Sequence, residues 1–270
     1  MDILAEIFAN KRLEVAARKR ISPLAQVRRL AEESAQPADF VRALRGAAYS
    51  PALIAEVKFR SPSKGELVTN PDPLGLTGTY ALHGAVAISV LTDEKYFGGH
   101  LDILRQIHAA LPHMPLLRKD FIFDPYQVYE SRATGASAIL LIAASLKPHL
   151  LAELHALALS LNVTPLVEVH DQRELEAALG LPGLKLMGVN NRNLHTFRVD
   201  LQTCLDLRPR VPPEVCFVAE SGIHGPEDVR KLAKAGVNAA LIGEALVTAA
   251  DPGAKIQELF GVTMPISEDT

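Results

Sequence analysis

From Ala52 onward one pattern recurs eight times in this 270-residue chain. A short run rich in Ile, Val and Leu ends in a polar residue, and a longer segment of helical period follows. The runs are ALIAEVK (52–58), AVAISVL (85–91), PLLRKDF (115–121) and AILLIA (138–143). They continue as TPLVEVH (164–170), KLMGVNN (185–191), VCFVAES (215–221) and AALIGEA (239–245). Ile54 in the first run and Leu241 in the last lie 187 positions apart, so the steps average about 27 residues. That length suits one strand, one helix and two short loops. Eight such units predict an α/β fold, the (β/α)8 TIM barrel. The rival open, doubly wound sheet usually begins with a G-x-G-x-x-G turn, which is absent after the first run. Glycines in Gly135-Ala136, Gly236-Val237 and His83-Gly84-Ala85 precede runs, where they commonly close a helix.

Residues 1–50 predict a helical extension packed on a barrel formed by 51–270, a single domain overall. Ile3, Leu4, Ile7 and Phe8 recur at helical spacing, as do Leu24, Val27 and Leu30 after Ser22-Pro23. The cluster Lys11, Arg12, Arg18, Lys19 and Arg20 reads as a solvated helix face. Rings make up only 5% of the chain and Trp is absent, so the core must be aliphatic, as suits helices on buried parallel strands. With 28 basic against 31 acidic residues, the chain is no general nucleic-acid binder. Cys204 and Cys216 form no CxxC pair and read as reduced thiols of a cytosolic protein. No apolar run reaches the roughly 18 residues of a membrane span. Asp2, Glu6, Lys11 and Glu14 interrupt any signal-peptide core. The expectation is a soluble cytoplasmic protein.

Buried parallel strands should be almost wholly apolar, so the polar exceptions carry information. Glu56 and Lys58 close the first run, Lys119 the third and Glu168 the fifth; Asn190 and then Arg192 close the sixth, and Glu220 the seventh. Side chains alternate across a strand, so Glu56 and Lys58 point the same way. If Ile54, in the same phase, fills the barrel interior, these charges crown its C-terminal mouth, where enzymes of this fold keep their active sites. Burying so many charges is costly unless they pair, and the mixed signs permit that. Lys119, Lys58 and Glu168 are the candidate proton carriers.

Ser221-Gly222-Ile223 follows the seventh run, and Gly243-Glu244-Ala245-Leu246 follows the eighth and opens a helical pattern. Such loops often hold a phosphate on backbone N–H groups. Ser61-Pro62-Ser63-Lys64-Gly65 adds hydroxyls and a cation to the same rim. No His, Cys, Asp and Glu cluster has metal-ligand spacing. Glu168 and His170 alone cannot enclose an ion, and His170 is expected to cap its loop or face solvent. The residues thus describe a barrel enzyme acting on a phosphorylated small molecule by acid–base chemistry.

The string IAEVKFRSPSKG (54–65) resembles the signature of the indole-3-glycerol-phosphate synthase family. Agreement continues through SVLTDEKYFGG (89–99), LLRKDFIFDPYQ (116–127), AILLIA (138–143), LVEVH (166–170), GVNNRNLHTF (188–197), AESGI (219–223) and LIGEAL (241–246). The resemblance spans all eight runs, and the helical extension is also characteristic of the family. It implies closure of an indole ring in tryptophan biosynthesis: condensation, decarboxylation and dehydration of 1-(2-carboxyphenylamino)-1-deoxyribulose 5-phosphate, with no cofactor. On this implication Lys119 protonates or polarises the ketone oxygen, while Lys58, Glu56 and Glu168 serve the dehydration, with the steps not divided among them. Lys58 also faces the substrate carboxylate. Asn190, Arg192 and Glu220 orient the ribulose hydroxyls and the lysines, with Ser221 beside them in the substrate site. Ser61, Gly222, Gly243 and Glu244 hold the phosphate, and Phe97, Phe121, Leu140 and Leu194 form a slot for the aromatic ring. Phe59-Arg60 departs from the family's usual Lys-Ala or Arg-Ala, and Glu244 offers no hydroxyl.

Two other readings stand beside this one. One is a different phosphosugar barrel, an isomerase or a Schiff-base aldolase with a desolvated lysine as nucleophile. The other is a non-catalytic phosphate-binding barrel, against which Glu56, Lys58, Lys119, Glu168, Asn190 and Glu220 together argue. The length leaves no room for a second barrel, so a monofunctional chain is expected. Oligomeric state and docking with other enzymes of the pathway stay open.

Overall fold

The computed structural model describes residues 3–192 and 198–261. Three helices lead: α1 (Ile3–Ile21), α2 (Leu24–Glu33) and α3 (Phe40–Arg45). Eight barrel strands follow: β1 (Ala52–Val57), β2 (Ala87–Leu91), β3 (Leu116–Lys119) and β4 (Ala138–Ile142), then β5 (Thr164–Val169), β6 (Leu186–Asn190), β7 (Cys216–Glu220) and β8 (Ala239–Ile242). Each falls within one of the eight apolar runs. Neighbours pair in parallel and in chain order, and β8 pairs with β1 to close the barrel. This is the (β/α)8 fold that the 27-residue step predicts.

The alternation of strand side chains divides the core in two. Ile54, Ala87, Leu117, Leu140, Leu166, Leu186, Val218 and Leu241 face inward and fill the barrel. Leu53, Val57, Val90, Val167, Val189 and their neighbours face outward against the surrounding helices. Phe40 and Leu44 of α3 belong to the inner cluster, so this short helix plugs the N-terminal end of the barrel. Phe40 is fully buried, and a side chain of that kind contributes roughly 1.5–3 kcal/mol.

The outer helices begin with a repeated device. Asp72, Asp124 and Asp251 each precede a proline and accept a backbone N–H of the first turn. The proline's fixed φ and missing donor suit the first helical position, and the aspartate satisfies a donor the helix leaves unpaired. At the other end, Gly135 (φ 91°) and Gly236 (φ 74°) turn the chain into β4 and β8 in left-handed conformations that other residues adopt only at a cost.

The basic cluster on α1 is not a solvated face. Lys11 is fully buried, with its Nζ 2.7 Å from Glu14, 2.8 Å from Asp93 and 3.0 Å from Asp120. Asp120 pairs with Arg118 at 2.9 Å, Arg118 with Glu130 at 2.9 Å, and Glu130 with Arg18 at 3.0 Å. Lys19 reaches Asp124 at 2.6 Å. Among the cluster, Arg12 and Arg20 are exposed. The remainder fastens α1 across the barrel's C-terminal side. Phe8 adds edge contacts with Phe121 (5.6 Å between centroids) and Phe123 (6.1 Å). Among the described residues no helix is long and apolar enough to cross a membrane.

Candidate active site

The charged side chains in the inward phase of the strands stand near their C-terminal ends. Glu56, Ser89, Lys119, Glu168, Asn190 and Glu220 lie in the same phase as the residues filling the barrel, one layer above them. Strand register sets Glu56 beside Ser89 and Asn190 beside Glu220. Glu56, Glu168 and Glu220 are at most 4% exposed. They surround the Lys119 ammonium, which lies 3.1 Å from Glu220 Oε2 and 3.6 Å from Glu56 Oε2. Lys58 Nζ approaches the other oxygen of Glu56 at 3.2 Å, and the Ser89 hydroxyl donates to Glu56 Oε2 at 3.3 Å.

Two glycines make space for these carboxylates. A Cβ on Gly188 would come within 2.2 Å of Glu220 Oε1, and one on Gly243 within 2.6 Å of Glu56 Oε1. At either distance the carboxylate would have to shift, so each glycine vacates the volume its neighbour's carboxylate fills.

Burial and neighbours pull the three carboxyls in different directions. Desolvation would raise Glu56, but Lys58 and Lys119 prevail and hold it below the usual carboxylate range. Desolvation would likewise raise Glu168, but His170, Lys119 and Asn190 keep it low. For Glu220, desolvation wins against Lys119 with help from Glu168 and Glu56, and its pKa is pushed up to about 7. Burial opposes the charge on Lys119, but Glu220, Glu56 and Glu168 raise its pKa above the ordinary lysine value. The mouth therefore offers an ammonium, an ionised carboxylate and a carboxyl that titrates near neutrality.

The side-chain orientations are fixed by further contacts. The Asn190 amide oxygen accepts the Arg192 backbone N–H at 3.1 Å and the Ser221 hydroxyl at 3.0 Å. Its side chain also helps keep Glu168 ionised. Ser221 (φ 63°) and Gly222 (φ 79°) are successive left-handed residues. For a serine that geometry costs on the order of 1–3 kcal/mol. Asn191, buried at 3% exposure, secures it by donating to the carbonyls of Glu220 and Ser221, each at 3.0 Å.

One cavity joins these groups. Glu56, Lys58, Ser61, Phe97, Lys119, Phe121, Leu140, Glu168, Asn190, Arg192, Glu220, Ser221, Gly222, Gly243 and Glu244 all border it. Leu194 lies outside the described residues. Phe97 and Phe121 form an apolar wall with ring centroids 5.9 Å apart. Ser61 is buried, and its hydroxyl accepts the Lys64 N–H at 3.2 Å in a two-stranded hairpin. Lys64 in turn pairs with Glu244 across the rim.

Several lining groups are absent from the sequence-based set. Ile3, Leu4 and Ile7 of α1 border the cavity beside the phenylalanines, as do Leu91 and Ile142. Their apolar period marked a helix face without saying what it covers. Asn191 was hidden because it stands out of phase with the inward residues. His170 neither faces solvent nor merely caps its loop: its side chain is 14% exposed, and Nε2 lies 3.3 Å from Glu168 Oε1. The signal for it was the i, i+2 spacing from Glu168. Among the described residues no group of three or more His, Cys, Asp or Glu could hold a metal ion.

A closed parallel barrel with ammonium and carboxylate groups converging in one cavity at its C-terminal mouth defines a barrel enzyme equipped for acid–base chemistry. Comparison narrows the class. Residues 4–259 match the model of the family described as indole-3-glycerol phosphate synthase. The protein of that name from Albidiferax ferrireducens is 51% identical over 261 residues, covering 96% of this chain and 98% of its own. The one from Roseiflexus castenholzii is 49% identical over 267 residues, covering 96% and 98%. The chain belongs to the indole-3-glycerol phosphate synthase family. Among solved structures, 3-hexulose-6-phosphate synthase from Salmonella typhimurium shares the fold, with a TM-score of 0.62 at 14% identity over 78% of this chain and 97% of that one.

Proposed function

We propose that this protein is a cytoplasmic carboxy-lyase of tryptophan biosynthesis. It converts 1-(2-carboxyphenylamino)-1-deoxyribulose 5-phosphate to indole-3-glycerol phosphate, CO2 and water. The observation that carries the reading is the Lys119 ammonium held between Glu220 and Glu56 at the mouth of the barrel, in a chain of this family.

The ring carbon bearing the carboxylate attacks the ketone carbon, and the carbonyl π electrons move onto oxygen. Lys119 stabilises that developing charge and gives it a proton, since an alkoxide is a stronger base than an amine. A donor aimed at a developing oxyanion is worth about 2.7–4 kcal/mol. Loss of CO2 returns its bonding electrons to the ring. Dehydration then removes a proton from the carbon next to nitrogen and expels the former ketone oxygen as water. Glu168, kept ionised, is suited to take the proton, and Lys58 to protonate the departing hydroxyl. Glu56 and Glu220 hold the two ammonium groups, and Asn190, Arg192 and Ser221 position the ribulose hydroxyls. Ser61 and the backbone at Gly222, Gly243 and Glu244 take the phosphate; Phe97, Phe121 and Leu140 pack the aromatic ring. The reaction balances without a redox change and calls for no cofactor.

An aldolase would require a lysine with a depressed pKa, whereas the carboxylates raise that of Lys119. Borohydride with a ketose phosphate should therefore leave no trapped adduct. The direct test mixes the purified protein with the carboxyphenylamino-deoxyribulose phosphate and follows indole fluorescence. A rise is expected; none from folded protein would reject the proposal.

A further inference from the structure

One ionisable cluster at the rim has no part in the chemistry above. β5 ends at Val169, and His170-Asp171 lead into the helix Gln172–Leu179. Asp171 caps that helix by accepting the Glu174 N–H at 2.8 Å. The Glu174 carboxylate folds back, accepts the His170 backbone N–H at 2.8 Å, and lies 3.1 Å from the ring's Nδ1. The opposite ring nitrogen, Nε2, lies 3.3 Å from Glu168 Oε1. Nδ1 meets Glu174 in hydrogen-bonding geometry, while Nε2 meets Glu168 as an ion-pair contact without hydrogen-bond alignment.

We propose that His170, held by Glu174, is a positioning residue that fixes the Glu168 carboxylate for proton abstraction. The assignment rests on the reading of Glu168 as the base. A carboxylate on a flexible two-methylene stem needs restraint to meet a substrate proton, and Glu168 is gripped from two sides. Asn190 supplies a neutral amide that helps keep Glu168 ionised, and that amide is anchored by Arg192 and Ser221. His170 supplies a charged contact whose ring is anchored by the capped helix. Burial opposes protonation of His170, but Glu168 and Glu174 hold its pKa at about 10, so the grip persists through neutral pH. The chain of support runs from helix cap to Glu174, to imidazole, to base. Supporting groups of this kind keep a reacting group within the narrow geometry that catalysis demands.

The test is steady-state kinetics with the carboxyphenylamino-deoxyribulose phosphate, with thermal melts confirming folding. Misplacing a catalytic group by about 1 Å costs up to roughly 100-fold. His170→Ala is expected to lower kcat about 10- to 100-fold with KM within about 2-fold. His170→Gln, which can present an N–H near the position of Nε2 but no charge, should recover part of that loss. Glu174→Gln, which leaves the fold's apolar contacts intact, should lower kcat by a smaller factor. In a Glu168→Gln background, His170→Ala should cost almost nothing more, because the group it positions is gone. Unimpaired kcat in His170→Ala, or a full additional loss in the double variant, would overturn the assignment while leaving the proposed reaction standing. Absence of turnover by the unmodified protein would overturn both.

Discussion

Gly188 on β6 and Glu220 on β7 share one volume: a Cβ on the glycine would lie 2.2 Å from the carboxylate's Oε1. The glycine leaves the buried carboxylate room beside Lys119. Gly188→Ala is expected to displace Glu220, lower kcat at least about tenfold, and destabilise the barrel by about 1–3 kcal/mol through overpacking. Indole fluorescence kinetics and a denaturant titration measure the two effects; a fully active, fully stable variant would disprove the packing argument.

Lys119→Ala removes the ammonium that Glu220 and Glu56 surround. The loss of one donor to a developing oxyanion corresponds to about 10²–10³ in kcat, and at least that reduction is expected from protein that still melts cooperatively. A rate near that of the unmodified enzyme would contradict the role given to Lys119.

Glu220 links stability to pH. Its pKa, about 7 when folded, lies above the ordinary glutamate value of 4.5, so the folded state binds the proton more tightly than the unfolded chain. Its contribution is fully present below about pH 4.5 and is lost as pH rises through about 7, a change on the order of 3 kcal/mol. Tm should therefore fall relative to that of Glu220→Gln across this interval and then run parallel to it. A constant difference between the two melting profiles would refute the assignment.

Lys11→Met keeps the aliphatic stem but leaves Asp93 and Asp120 buried without their common cation. Removing one partner of such a set costs about 3–5 kcal/mol. Denaturant titration should show a loss of that size. A midpoint unchanged from the parent protein would mean that α1 docks through Phe8, Ile7 and Val15 alone.

Phe97→Ala cuts away half of the Phe97–Phe121 wall. Losing a ring's worth of apolar burial, about 1.5–3 kcal/mol, should raise KM by roughly tenfold or more, with kcat changed much less. A drop confined to kcat would place Phe97 outside the ring-binding slot.

The barrel was legible because its signals are local and repeated. Each strand is a short aliphatic run, each is followed by helical spacing, and Asp-Pro or Gly marks many of the boundaries. The charged crown was legible for a related reason: a polar residue at the end of a buried strand breaks an otherwise apolar rule. The same logic failed on α1. A helix with Lys11, Arg12, Arg18 and Lys19 has the pattern of a solvated face, and nothing within it reveals that Asp93 and Asp120, far along the chain, converge on Lys11. Gly188 was equally silent, since a glycine in a strand does not say which neighbour needs its space.

The sequence by itself determined the eightfold unit, the strand phase, and which residue types gather at one end of the barrel. These follow from periodicities of two and 3.6 residues and from the cost of burying polar groups, which act within a single segment. The tertiary structure decided which opposite charges meet, and with them the protonation states: Glu168 held ionised, Glu220 shifted towards neutrality, His170 turned from a loop residue into a clamp. Around Lys119 those outcomes depend on distances of 3.1–3.6 Å between side chains from different strands, and at His170 on how the strand end and the next helix fold back on each other. Coulombic and desolvation effects at that range are set by the folded positions of the side chains, which the order of residues alone does not give.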